Sequence, residues 1–99
     1  MSTPAESGPE INRLIHEPAR LVILLHLYVV ESADYVYLMN QTGLSWGNLS
    51  VQLSRLQEAG YVAIQKGYQG RKPHSTVELT PQGRAAFEEY REQMKRMLG

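Results

Sequence analysis

Residues 44–62 read L-S-W-G-N-L-S-V-Q-L-S-R-L-Q-E-A-G-Y-V, and the reading of this stretch decides the fold. Ser45 has the short oxygen side chain that favours a helix N-cap, just ahead of the periodic part. Leu49, Leu53 and Leu56 recur at i, i+4 and i+7, so a helix gathers them into one apolar stripe. Gly60 stands where a helix end calls for a left-handed residue. Winding the same residues at about 100° per step puts Gly47, Asn48, Val51, Ser54 and Arg55 on the opposite face. That face is small and polar, with no carboxylate before Glu58. A stripe of small residues, an amide and an arginine suits a DNA major groove, which admits a helix and offers base edges to such groups.

Around this stretch the chain has 99 residues, enough for one small domain with a single core. No cysteine is present, which removes disulfides, thiolate metal sites and a cysteine nucleophile and fits a reducing compartment. The longest apolar run, Leu21 to Val30, is interrupted by His26 and falls short of the roughly 20 residues that a bilayer requires. The first residues do not pair a basic segment with an apolar one, so a secretory signal is not expected and the expected location is the cytoplasm.

The formal net charge is zero, but it is unevenly spread. Up to Asp34, Arg13 and Arg20 face Glu6, Glu10, Glu17, Glu31 and Asp34. From Gly43 to Thr76, Arg55, Lys66, Arg71 and Lys72 face Glu58 alone. A neutral protein with one basic face can still bind a polyanion through that side.

Taken in order, residues 1–10 are rich in Ser, Pro, Gly and Glu and are expected to form a disordered arm, with the folded domain over 11–99. Ile11, Leu14 and Ile15 give a short helical pattern ending near His16. Pro18 suits the first turn of a second helix. Leu21 to Val30 is apolar on nearly all sides, as in a helix buried centrally or shared with a partner. A brief extended segment near Ala33 to Tyr35 leads into a helix of about two turns, and Gly43 makes the turn into the 44–62 helix. After Gly60 the period changes to 2, a strand from Tyr61 to Lys66. Ser75 to Leu79 is a second strand, and Gly67 to His74 reads as a glycine-bracketed hairpin loop with a basic tip. Thr80 and Pro81 open a last helix over about 81–98, with Phe87, Tyr90, Met94 and Met97 on one stripe. The expected class is therefore mostly α with a small β-hairpin wing: helix, helix, short strand, helix, helix, strand, strand, helix.

That order is the winged helix-turn-helix, and the residues make the likeness specific. His16-Glu17-Pro18-Ala19-Arg20-Leu21, Asp34-Tyr35, Thr42-Gly43-Leu44-Ser45, Gly47-Asn48-Leu49-Ser50, Glu58-Ala59-Gly60-Tyr61-Val62, Gly70-Arg71 and Leu79-Thr80 with Gly83-Arg84 together resemble the small MarR-like winged-helix transcriptional regulators of about one hundred residues. The likeness covers roughly His16 to Tyr90. One departure is Trp46, where the pattern implies a small or polar residue. The resemblance implies a homodimer on a two-fold, palindromic double-stranded DNA operator, with helix 46–59 in the major groove and the wing, 67–75, on the backbone or minor groove.

Each candidate contact has its own chemistry. Asn48 can pair with adenine N6 and N7, or satisfy local backbone groups instead. Gly47 beside it allows close approach. Arg55 can reach guanine or a phosphate, or pair locally with Glu58. Ser45, Trp46, Ser50 and Gln52 are candidate contacts at the helix start, although Ser45 has capping to do. Val51 can touch a thymine methyl group. Arg71 and Lys72 at the wing tip need only charge to bind phosphate, with Lys66 at the wing base and His74 beside them. His16 and His26 lack a third ligand, so no metal site is expected, and no cofactor or active site is visible. Tyr28, Tyr35 and Tyr37 read as core. Glu88, Glu89 and Glu92 with Arg91, Lys95 and Arg96 read as a solvated, paired face.

The dimer interface is expected on the first and last helices, through Ile11, Leu14, Ile15, Phe87, Tyr90, Met94 and Met97. The function expected is sequence-specific DNA binding by a transcriptional regulator, a repressor, with no small-molecule effector assigned. The alternative is a winged-helix adaptor that binds an acidic protein partner through its basic face.

Overall fold

The computed structural model describes residues 11–99, so the expected arm at 1–10 lies outside the described residues. Four helices and a three-stranded antiparallel sheet follow in the winged-helix order. Among the described residues no helix is long and apolar enough to cross a membrane.

The short helix expected over Ile11 to His16 is a turn instead. Asn12 Oδ1 accepts from the backbone N–H groups of Leu14 and Ile15, each at 3.1 Å, and the His16 N–H donates to the Asn12 carbonyl at 2.8 Å. The turn cannot run on, because the residue before a proline avoids the helical region, and Glu17 is extended at φ −148°. Helix α1 (Pro18–Val30) starts there, with the Glu17 carboxylate accepting from the Arg20 N–H at 2.9 Å.

Of the two arrangements that its composition suggests, central burial does not hold, because the chain's own core leaves one side of α1 uncovered. Ile23, Leu24 and Leu27 are fully buried, whereas Leu25 is 50% and Val29 74% exposed. Strand β1 (Ser32–Asp34) then pairs antiparallel with Thr76 to Glu78, and Asp34 caps α2 (Tyr35–Thr42) by accepting from the Tyr37 N–H at 2.7 Å. Gly43, at φ +76°, takes the left-handed turn into α3 (Trp46–Glu58). α3 ends as its glycine predicts. The Tyr61 N–H donates to the Leu56 carbonyl and the Gly60 N–H to the Gln57 carbonyl, both at 2.9 Å, with Gly60 at φ +81°.

The wing is the larger departure from expectation. Residues 67–75 are mostly strand rather than loop: β2 (Val62–Gln69) and β3 (Lys72–Leu79) pair from Val62↔Leu79 out to Gln69↔Lys72. Only Gly70 and Arg71 turn, and positive φ falls on Gly70 alone, the signature of a type II′ hairpin. Pro73 near the tip does not break pairing, since a strand tolerates proline where its missing N–H is not needed. The sheet order is β1-β3-β2.

Helix α4 (Pro81–Leu98) starts at Thr80, whose hydroxyl accepts from the Gly83 N–H at 2.9 Å and donates to the Gly60 carbonyl at 2.6 Å. One core joins all the elements: Ile23, Leu24 and Leu27 of α1, Leu38, the three leucines of α3, Val62, Val77 and Leu79 of the sheet, and Phe87 and Tyr90 of α4.

Candidate nucleic-acid interface

α3 divides into two faces as its sequence requires. Leu49, Leu53 and Leu56 are fully buried, and Gly47, Asn48, Val51, Ser54 and Arg55 are exposed. Val51 is 51% exposed, an apolar side chain held outward on a polar face. A Cβ at Gly47 would meet nothing within 4 Å, so the backbone there is open to an approaching surface. Among the described residues Arg55 forms no ion pair, and Glu58 does not engage it.

The other α3 candidates divide between outward and inward roles. The Ser45 hydroxyl accepts from the Asn48 N–H at 3.2 Å, so it is occupied with capping. Ser50 and Gln52 are half-buried and lean toward the frame. Gln52 donates through Nε2 to Asn48 Oδ1 at 3.0 Å and accepts from Arg20 Nη1 at 2.7 Å. Arg20 also donates from Nε to the Leu14 carbonyl. Arg20 had no role in the sequence reading. In the sequence it stands as a charge at the start of an otherwise apolar helix and as part of the 16–21 motif.

Trp46 is 59% exposed and its ring centroid lies 4.9 Å from that of Tyr35. Together they wall a cleft of about 330 Å³ that also includes Asp34, Val36, Met39 and Pro73. The start of α3 and the inner side of the wing therefore meet at this cleft. Burial pushes the Tyr35 phenol above its ordinary pKa. His74, expected to face a ligand, turns back instead: its Nε2 lies 3.2 Å from Asp34 Oδ2. The Tyr37 N–H, and then His74, hold the Asp34 carboxyl below its usual range. Lys66 is exposed on β2, and Arg71 and Lys72 are exposed at the hairpin turn.

The interface residues expected on the first and last helices are corrected in part. Ile15, Phe87 and Tyr90 are buried against the chain's own core, with the Tyr90 hydroxyl 2.8 Å from His16 Nδ1. Ile11, Leu14 and Met94 are half-buried against the same core. Met97 and Leu98 remain exposed at the end of α4. The paired face of that helix carries Lys95–Glu92 and Arg96–Glu89 contacts at 3.5 and 3.7 Å, which contribute little in solvent. Arg84 lies over the Tyr28 ring, 4.7 Å from its centroid.

Comparison with known proteins agrees with this geometry. The winged helix DNA-binding domain family matches residues 19–98. An uncharacterized protein of Methanocaldococcus jannaschii is 31% identical over 78 residues, which cover 79% of this chain and 85% of that protein. A transcriptional regulator homologue from Pyrococcus horikoshii OT3 has the same fold, with a TM-score of 0.83 at 24% identity over 88% of this chain and 86% of that one. A MarR-family transcriptional regulator from Silicibacter pomeroyi gives a TM-score of 0.68 at 25% identity over 85% of this chain, which spans 56% of that protein. The chain belongs to the winged helix DNA-binding domain family, and its fold is like that of MarR-family transcriptional regulators.

Proposed function

We propose that the protein is a repressor that binds a two-fold DNA operator as a homodimer, with α3 in the major groove and the wing on the backbone or the adjacent minor groove. The observation that carries this reading is the division of α3. Three leucines anchor it, and Gly47, Asn48, Val51 and Arg55 stand free of the frame. Those four supply an open backbone, an amide, an apolar contact and a guanidinium, which are the means of reading base edges. Arg71 and Lys72 on a two-residue turn supply phosphate contacts that need little geometry.

One exposed cation on α3 gives limited affinity, so the wing and a second subunit add the rest. Support for the second subunit comes from apolar side chains left outward, Leu25 and Val29 on α1 and Met97 and Leu98 on α4. Those residues replace Ile15, Phe87 and Tyr90 as the proposed contact surface. Repression follows from occupancy, since a bound dimer blocks any promoter that its operator overlaps.

Selection of bound sequences from a random double-stranded DNA pool tests the reading, with a salt titration on the winner. The expected result is a two-fold sequence motif and an affinity falling as log salt rises, by about 0.9 per phosphate neutralised. Unselective, salt-insensitive binding would instead favour the protein-adaptor alternative. Sedimentation at micromolar concentration is expected to show a dimer, and a stable monomer would remove the two-fold operator from the proposal.

A further inference from the structure

We infer that Arg20, a residue of α1 rather than of α3, sets base choice at one operator position by fixing the polarity of two side-chain amides. The inference rests on α3 being the DNA reader. Arg20 is held at three points. Its backbone N–H donates to the Glu17 carboxylate at 2.9 Å, its Nε to the Leu14 carbonyl, and its Nη1 to Gln52 Oε1 at 2.7 Å. A guanidinium has donors only and accepts nothing. Gln52 must therefore turn its oxygen toward Arg20, which sends its Nε2 the other way.

That Nε2 donates to Asn48 Oδ1 at 3.0 Å, across one helical turn. With Oδ1 engaged from below, the outward group of Asn48 is Nδ2, a donor. The relay has one direction because it begins at a pure donor. Reversing it would leave an N–H of Gln52 facing a cation and forfeit a charge-assisted bond. Gln52 is half-buried and Asn48 exposed, so the relay runs from the frame to the surface.

The consequence is a preference written in donors and acceptors. In the major groove guanine, adenine and thymine each offer an acceptor, whereas cytosine offers only its N4 donor. An outward Nδ2 therefore selects against cytosine in the strand that Asn48 faces. An asparagine free to turn over would not exclude it.

The test is DNA-pool selection with the full chain as wild type, Arg20→Lys, Arg20→Leu and Gln52→Glu. Wild type is expected to under-represent cytosine about tenfold at one position of each half-site. Arg20→Lys keeps a pure donor and keeps that exclusion. Arg20→Leu frees Gln52 and loses it. Gln52→Glu keeps the bond to Arg20 but removes the donor toward Asn48. The Asn48 amide then turns over, and cytosine becomes accepted although overall affinity falls. A merely structural role for Arg20 would lower affinity without changing this one preference. If wild type selects a sequence and neither Arg20→Leu nor Gln52→Glu alters the cytosine exclusion, the relay is overturned. If wild type selects nothing, the DNA-reader assignment fails instead. Should melting show that Arg20→Leu or Gln52→Glu does not fold, Asn48→Asp at the exposed end decides. It presents an acceptor outward and is expected to favour cytosine, and an unchanged preference there also overturns the relay.

Discussion

Gly83 packs so closely on the backbone of Tyr61 that a Cβ built on it would lie 2.0 Å from the Tyr61 carbonyl oxygen. The same oxygen accepts from the Thr80 N–H at 3.1 Å. This joint fastens the start of α4 to the segment that leaves α3, so α3 and α4 are positioned together. The contact is backbone, not a flexible side chain, and cannot move aside cheaply.

Gly83→Ala is therefore expected to destabilise the protein by about 2 kcal/mol or more, as an overpacked buried site does. For a domain of this size that lowers Tm by roughly 10 °C. Thermal melting followed by circular dichroism checks it, and an unchanged Tm would show that the two backbones can separate.

The two faces of α3 make a second pair of expectations. Leu53→Ala removes a fully buried side chain and is expected to cost about 3 kcal/mol. Val51→Ala, on the open face, is expected to change stability by no more than about 0.5 kcal/mol while altering DNA selection. Denaturant titration of both variants separates anchor from reader, and equal losses would contradict the division.

At the wing, Arg71→Ala is expected to weaken binding to all DNA sequences alike. The slope of log affinity against log salt should fall by about 1 for each phosphate contact removed. Lys72→Ala is expected to act in the same way. A change in preferred sequence with an unchanged slope would assign Arg71 to base reading instead.

Asp34 adds a pH dependence with a definite sign. Its carboxyl is held below its ordinary value in the folded state, first by the Tyr37 N–H and then by His74. A depressed pKa means that its stabilisation is present above the ordinary carboxylate value and is lost as pH falls through the folded one. Asn also caps helices, so Asp34→Asn keeps the hydrogen bond and removes the charge. Wild type is expected to melt higher than Asp34→Asn at neutral pH, with the gap closing below about pH 4. A gap that does not begin to narrow as pH falls below about 4 would refute the assignment.

Much of the fold was legible because its signals are local. Ser45, Thr80 and Pro81 mark helix starts through groups within three residues, and Gly43 and Gly60 mark turns through their own φ. The leucine stripe of α3 follows from helical period alone, and so does the exposed face opposite it. Other features are not set by spacing or composition, for equally physical reasons. Ile11 to His16 looked helical by spacing, but Asn12 and the residue before Pro18 close it as a turn. Residues 67–75 looked like a loop by composition, yet cross-strand partners such as Tyr68↔Pro73 extend both strands almost to the tip.

By itself, then, the sequence determined the element order from Pro18 onward, the caps at Ser45 and Thr80 and the outward stripe of α3, because helix and strand periods and capping act over a few residues. The tertiary structure alone decided which side of α1 is buried, that His74 turns to Asp34, that Gly83 seats on Tyr61, and that Arg20 reaches Gln52 and through it Asn48. Each of those links joins groups far apart in the chain, and the partner of a polar side chain is fixed only when the folded backbone brings one donor to one acceptor. The two faces of the helix opened by Ser45 are written in its own residues, but the side-chain amide of Asn48 is bonded through Gln52 to an arginine from another helix.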